Sequence, residues 1–225
     1  MKINCALIIT LLVFPSIFTP QQAITHTFRI SELREYLPIS TNNITADKIY
    51  GRISETENEV AYEYLFYWDY QKGSYKFAEH NHDWEFVVVY AYKNGTVNQV
   101  NYDSWHYYIG RKDNPEAYND TNVLLFVDSD FHYFKPDWGI RRGNVSKQIN
   151  NQTIYKITDS VLSVAQEQVS FDPELFNDPF SWKEQGFLGR YTAFDDWWKA
   201  FWVVMDKKLE FVDLSDEERL ITKWL

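Results

Sequence analysis

The chain has 225 residues, a formal net charge of -10, 18% aromatic residues and a single cysteine. So acidic a balance excludes nucleic acid as a partner, because neutralising phosphates needs a basic face. Cys5 stands close to the N-terminus, inside the segment read below as a signal peptide, so the mature chain can form no disulfide and offers no thiolate to zinc or to a substrate.

Lys2 is followed by an apolar stretch, 6–18, that is too short to span a bilayer and is broken by Pro15. It leads into Thr19-Pro20-Gln21-Gln22-Ala23, which predicts a secretory signal peptide over 1–23 and an extracellular destination. Gln21 is a poor match to a small-residue cleavage site, so an uncleaved signal anchor is the alternative. Later hydrophobic stretches are all interrupted by Asp, Glu, Lys or Asn, and 24–225 reads as a single soluble domain.

From 47 to about 133 the pattern is that of strands. Residues 60–69 alternate, with Val60, Tyr62, Tyr64, Phe66 and Trp68 on one face. Residues 85–92 are apolar on both faces and predict a central strand. Asn94-Gly95 supplies a hairpin turn before 96–102. After the turn-rich stretch 111–122, residues 123–134 predict another long strand. Asn-x-Ser/Thr sequons at Asn43, Asn94, Asn119, Asn144 and Asn151 fall among polar neighbours and predict surface loops.

The last third is punctuated by Asp172-Pro173, Asp178-Pro179, Gly186 and Gly189 before two predicted helices. Phe194, Trp197, Trp198, Phe201, Trp202 and Met205 share one face of the first. That face suits core packing better than a lipid interface, since the opposite face lacks a basic bias. Ser215 and Glu218 form a capping box for the second. The fold class expected is α+β, mainly β: a β-sandwich with helices packed on it and a helical C-terminal segment.

The run His80-Asn81-His82-Asp83-Trp84-Glu85 carries the chemistry. On a strand Asp83 and Glu85 share a face while Trp84 and Phe86 take the other. Two carboxylates that close repel unless something positive lies between them, and a bound cation resolves the repulsion. His80, three residues upstream, is within reach if the chain turns into the strand, and Asp69, at the end of the preceding strand, falls beside the site as a further ligand if 60–69 and 85–92 are paired neighbours. Oxygen donors with at most one or two imidazoles favour Mg²⁺, Ca²⁺ or Mn²⁺ over a structural zinc. The bland alternative has Asp83 capping a turn and Glu85 paired with Arg141 or Arg142. His82, His106 and His132 are candidates to line the same cleft, or else packed core residues, and Asp128 and Asp130 repeat the carboxylate spacing on what reads as a solvated face.

Glu79-His80-Asn81-His82-Asp83-Trp84-Glu85 resembles the Gly-His-Arg-His-Asp-Trp-Glu heptapeptide of the necrosis- and ethylene-inducing Nep1-like proteins, with Glu79 in place of glycine and Asn81 in place of arginine. An aromatic strand ending in an aspartate precedes the motif and a Val-rich strand follows it, as in that family. Ser104-Trp105-His106-Tyr107-Tyr108 is similar to the family's Ser-x-His-Gly-x-Tyr stretch. The resemblance implies a β-sandwich, a divalent cation held by Asp69, His80, Asp83 and Glu85, and membrane damage through binding of sphingolipid head-group sugars.

The leading expectation is therefore a secreted metal-binding protein, toxin-like, with a glycan or glycolipid head group and a membrane surface as its partners. Exposed Trp and Tyr faces could add stacking platforms for sugar rings. Two other readings stand beside it: a metal-dependent hydrolase with His82 or His106 as proton carrier, and a surface glycoprotein whose ion only stabilises the fold. The absence of a Gly-x-Ser-x-Gly motif weighs against acyl-enzyme chemistry.

Overall fold

The computed structural model describes residues 23–72, 79–104, 109–130, 132–136, 152–168, 177–181 and 183. Along them run β1 (Thr25–Thr27), α1 (Ile30–Glu35), β2 (Ile39–Ser40), β3 (Lys48–Glu55), β4 (Glu59–Gln71), β5 (His80–Tyr92), β6 (Val97–Asp103), β7 (Ile109–Asp113), β8 (Ala117–Tyr118), β9 (Asn122–Val127), β10 (Phe134–Pro136), β11 (Ile154–Lys156) and α2 (Asp159–Gln168). A seven-stranded sheet has the order β1-β3-β4-β5-β6-β7, with β11 also on β3, and a four-stranded sheet has the order β10-β9-β2, with β8 on β9. β11 on β3 and β2 on β9 are parallel; the other pairings are antiparallel.

Period-two alternation sets the layers. Tyr62, Tyr64, Phe66 and Trp68 of β4 share one core with Val123, Leu125 and Val127 of β9, Phe134 of β10, and Leu33, Tyr36 and Leu37 in and after α1. Ala61, Leu65, Trp84, Phe86, Val88 and Tyr90 face the other way, under Leu162 and Ala165 of α2. Strands apolar on both faces, such as β5, are thus covered on both. Each such side chain contributes about 1.5–3 kcal/mol of transfer free energy when fully buried. Tyr64 is buried at no polar cost because its hydroxyl donates to the Leu33 carbonyl at 2.7 Å, and Tyr36 stacks on Tyr62 at 3.9 Å. The fold is mainly β, a sandwich of two sheets with α2 packed on the outer face of the larger one.

β7 closes on β6 only because residue 110 is glycine. A Cβ there would lie 2.2 Å from the Tyr102 ring of the paired strand. On the opposite edge, β1 and β11 share the outer side of β3, the first pairing with residues 53–55 and the second with residues 49–51.

Three elements differ from expectation. The strand expected over 123–134 breaks at Asp128, whose Oδ1 accepts the Asp130 amide at 3.0 Å while His132 turns into the left-handed region at φ 55°; β9 and β10 are two arms of a hairpin. β5 starts at His80, five residues before the strand expected over 85–92, so the whole His80–Glu85 motif lies within it. α1 and α2 are additional helices; α1 has no side-chain cap at Arg29 and only six residues, too little for a periodic signal. The signal segment through residue 22, His106, Arg141, Arg142, Asn144, Asn151 and both predicted C-terminal helices lie outside the described residues. Among the described residues, no helix is long and apolar enough to cross a membrane.

Candidate functional site

The antiparallel register of β4 and β5 builds the site. Glu85 pairs with Phe66 and Asp83 with Trp68, so both carboxylates share the face that carries the aromatic core of the sandwich. Trp84 and Phe86 point to the other face, into the core beneath α2. Asp83 and Glu85 are both 0% exposed. Asp103, the last residue of β6, is equally buried.

Burial pushes the Glu85 carboxyl well above the usual carboxylate range, and the negative charges of Asp103 and Asp83 push it further. Glu85 therefore has Asp103 and Asp83 as like-charged neighbours in a buried space. Asp103 was missed by sequence reasoning, since a lone aspartate at a strand end looks like any turn-forming residue.

His132 reaches this cluster from the β9–β10 hairpin. Its Nδ1 lies 2.8 Å from Asp83 Oδ2, and its ring stacks on Trp68 with centroids 4.4 Å apart. The left-handed turn at residue 132 makes this approach possible, and His132 itself is buried. Of the three candidate cleft histidines, the structure brings His132 to the carboxylates, whereas His106 lies outside the described residues.

The expected ligand set is divided. Asp69 is exposed and, by alternation along β4, falls on the side of Tyr67, opposite Asp83 and Glu85. Its backbone amide donates to Asp47 Oδ2 at 2.8 Å. The Tyr67 hydroxyl is pushed up by burial and then by the Asp69 carboxylate beside it. His82 joins that side, with Nδ1 2.6 Å from the Tyr67 hydroxyl, and it holds a left-handed φ of 63° within β5. His80 pairs with Gln71 through the backbone, and its side chain lies outside what the structure describes. Among the described residues, no three of His, Asp and Glu converge in metal-ligating geometry. Asp83, Glu85 and Asp103 nonetheless offer buried carboxyl oxygens, the donor type that a hard divalent cation takes.

The protein-family model described as necrosis inducing protein (NPP1) matches residues 40–160, from β2 into α2. No curated protein matches the chain. Among solved structures, it is similar to NLPPya in complex with mannosamine at 16% identity, over 56% of this chain and 58% of that one, with a TM-score of 0.39. It is similar to a structure described as a toxin fold for microbial attack and plant defense at 16% identity, over 58% and 64%, with a TM-score of 0.41. A crystal structure of the non-toxic HaNLP3 protein matches at 18% identity, over 52% and 56%, with a TM-score of 0.38. The chain spans about three fifths of the length of the solved structures it matches.

Proposed function

Because the chain belongs to the necrosis-inducing protein (NPP1) family, we propose that it is a secreted, toxin-like protein that binds a glycan or sphingolipid head group through a divalent cation. The observation that carries this reading is the fully buried carboxylate cluster of Asp83, Glu85 and Asp103. Asp83 and Glu85 would hold Mg²⁺ or Ca²⁺, with His80 from the same strand and Asp103 from β6. Asp69, on the opposite face, stands outside this set.

The cation, when bound, offers open coordination positions to sugar hydroxyls. The chain's own contribution is to keep the oxygen donors in place. β4 and β6 fix the two flanks of β5, and His132 holds Asp83 at Oδ2. Trp68 backs the His132 ring, so the imidazole cannot rotate away without breaking a parallel stack.

Binding, not turnover, is the core of the proposal. Titration calorimetry of the full chain with Ca²⁺ or Mg²⁺, followed by mannosamine or glucosamine, tests it. Heat is expected from the cation first and from the amino sugar only in its presence. Glu85→Ala should fold and give neither. No cation heat at millimolar metal would overturn the reading. Dye release from sphingolipid vesicles tests lysis separately.

A further inference from the structure

We propose that Asn94 and Asn119 carry N-linked glycans, both at the end of the sandwich remote from the carboxylate cluster. Each is the asparagine of a sequon, Asn94-Gly95-Thr96 and Asn119-Asp120-Thr121. Each side chain is exposed, and among the described residues neither carboxamide nitrogen takes part in a hydrogen bond.

The turns themselves are built to present the amide. In the β5–β6 hairpin, Tyr92 N donates to the Thr96 carbonyl at 3.0 Å and Gly95 N to the Tyr92 carbonyl at 2.8 Å. Asn94 Oδ1 accepts the Thr96 amide at 3.0 Å, which aims Nδ2 outward. Gly95 adopts φ 88°, which a side chain would strain. In the β8–β9 turn, Asn119 and Asp120 hold φ 52° and 64°, a left-handed pair that asparagine and aspartate tolerate best after glycine. Folding therefore needs no rearrangement to accommodate a glycan at either position.

Both turns sit at the same end. Tyr36 donates to the Gly95 carbonyl at 3.0 Å, and Asn122 Nδ2 donates to the carbonyls of Arg34 and Leu37, so the chain around the C-terminus of α1 touches both. Asn94 lies nine positions beyond Glu85 along β5 and its turn, roughly 30 Å at the rise of an extended chain. Asn43, the third described sequon, lies at the other end, in the loop before β3, and is not part of the proposal.

The chemistry requires a lipid-diphosphate-linked oligosaccharide as co-reactant. The Asn carboxamide nitrogen forms a bond to C1 of the reducing-end sugar as the C1–O bond to diphosphate breaks; the amide loses one proton and the lipid diphosphate leaves. The step depends on export through a compartment that supplies that donor, and so on the secreted reading above, but not on the cation.

The full 225-residue chain should be expressed in a eukaryotic secretory line and the medium analysed by mass spectrometry before and after peptide-N-glycosidase. The expected result is glycan on the Asn94 and Asn119 peptides, with aspartate left at each position after the enzyme. Asn94→Gln and Asn119→Gln should each remove one step of mass. Thr96→Ala and Thr121→Ala, which keep the asparagine and lose the hydroxyl, should do the same. A secreted chain with both peptides unmodified overturns the proposal, and so does a chain that never leaves the cell. Cation heat measured on the deglycosylated protein reports separately on the carboxylate site.

Discussion

His132 lies flat against Trp68, the two rings 4° from parallel, while the same imidazole meets Asp83 at 2.8 Å. One side chain therefore links the aromatic core to the carboxylate cluster. Replacing it separates the two roles. His132→Phe keeps the stack and loses the Asp83 contact, so cation affinity should fall about 10- to 100-fold, the range for a group that orients a metal ligand. Its thermal midpoint should drop less than that of His132→Ala. Calorimetry and thermal denaturation of both variants check this; equal cation affinity in wild type and His132→Phe would remove the orienting role.

Glu85 gives the stability a pH dependence opposite in sign to that of an ordinary ion-paired carboxylate. Its folded-state pKa lies well above the ordinary value of 4.5, so the folded chain keeps a proton that the unfolded chain releases. Stability contributed by that proton is present below 4.5 and is lost as pH rises toward the folded-state pKa. In a chelator, Glu85→Gln should melt above wild type at pH 8, and the two should converge near pH 4. Wild type without a fall over that interval would refute the assignment.

Half-buried Arg52 and buried Glu63 pair across β3 and β4, with Nη2 2.5 Å from Oε2 and side chains 11% and 5% exposed. Ser54 also donates to Glu63. Removing one partner should cost about 3–5 kcal/mol, because the other charge is left buried. Urea denaturation of Arg52→Ala and Glu63→Ala measures it. Arg52→Met combined with Glu63→Leu should recover most of the loss.

Gly110→Ala should be destabilising by about 1–3 kcal/mol through overpacking against Tyr102. The test is a double-mutant cycle with Tyr102→Val, which removes the obstructing ring. Coupling of at least 0.5 kcal/mol is expected for residues in contact, and strict additivity would show that the ring is not the obstacle.

The faces of β4 and β5 were legible because alternation is local. Val60 to Trp68 on one side and Trp84 with Phe86 on the other need only the period of a strand. What joins the faces was not local. Asp69 follows Trp68 by one residue and so faces away from it, but only the register with Asp83 reveals that this separates Asp69 from the motif. His132 was readable as a candidate and not as a neighbour of Asp83, because its position depends on a turn at Asp128 in what looks like continuous strand. Asp103 reaches Glu85 through the pairing of β6 with β5, a relationship between distant segments that no spacing encodes.

The outer side of β3 carries a consequence for how the chain is made. Its upper half pairs with β11, whose Ile154 meets Ile49 roughly a hundred residues downstream, a separation that slows folding. A ribosome-bound chain that has already exposed β3 through β7 still has an open strand edge there, ready to pair with any other chain that offers one. Gly51 adds a condition, since a Cβ there would lie 2.9 Å from Ile154 and 3.1 Å from Leu33, so a larger residue would force those side chains to shift. This side of the large sheet is therefore closed to intermolecular pairing only when β11 has emerged, and chains truncated before Ile154 should aggregate rather than fold to a smaller version of the same domain.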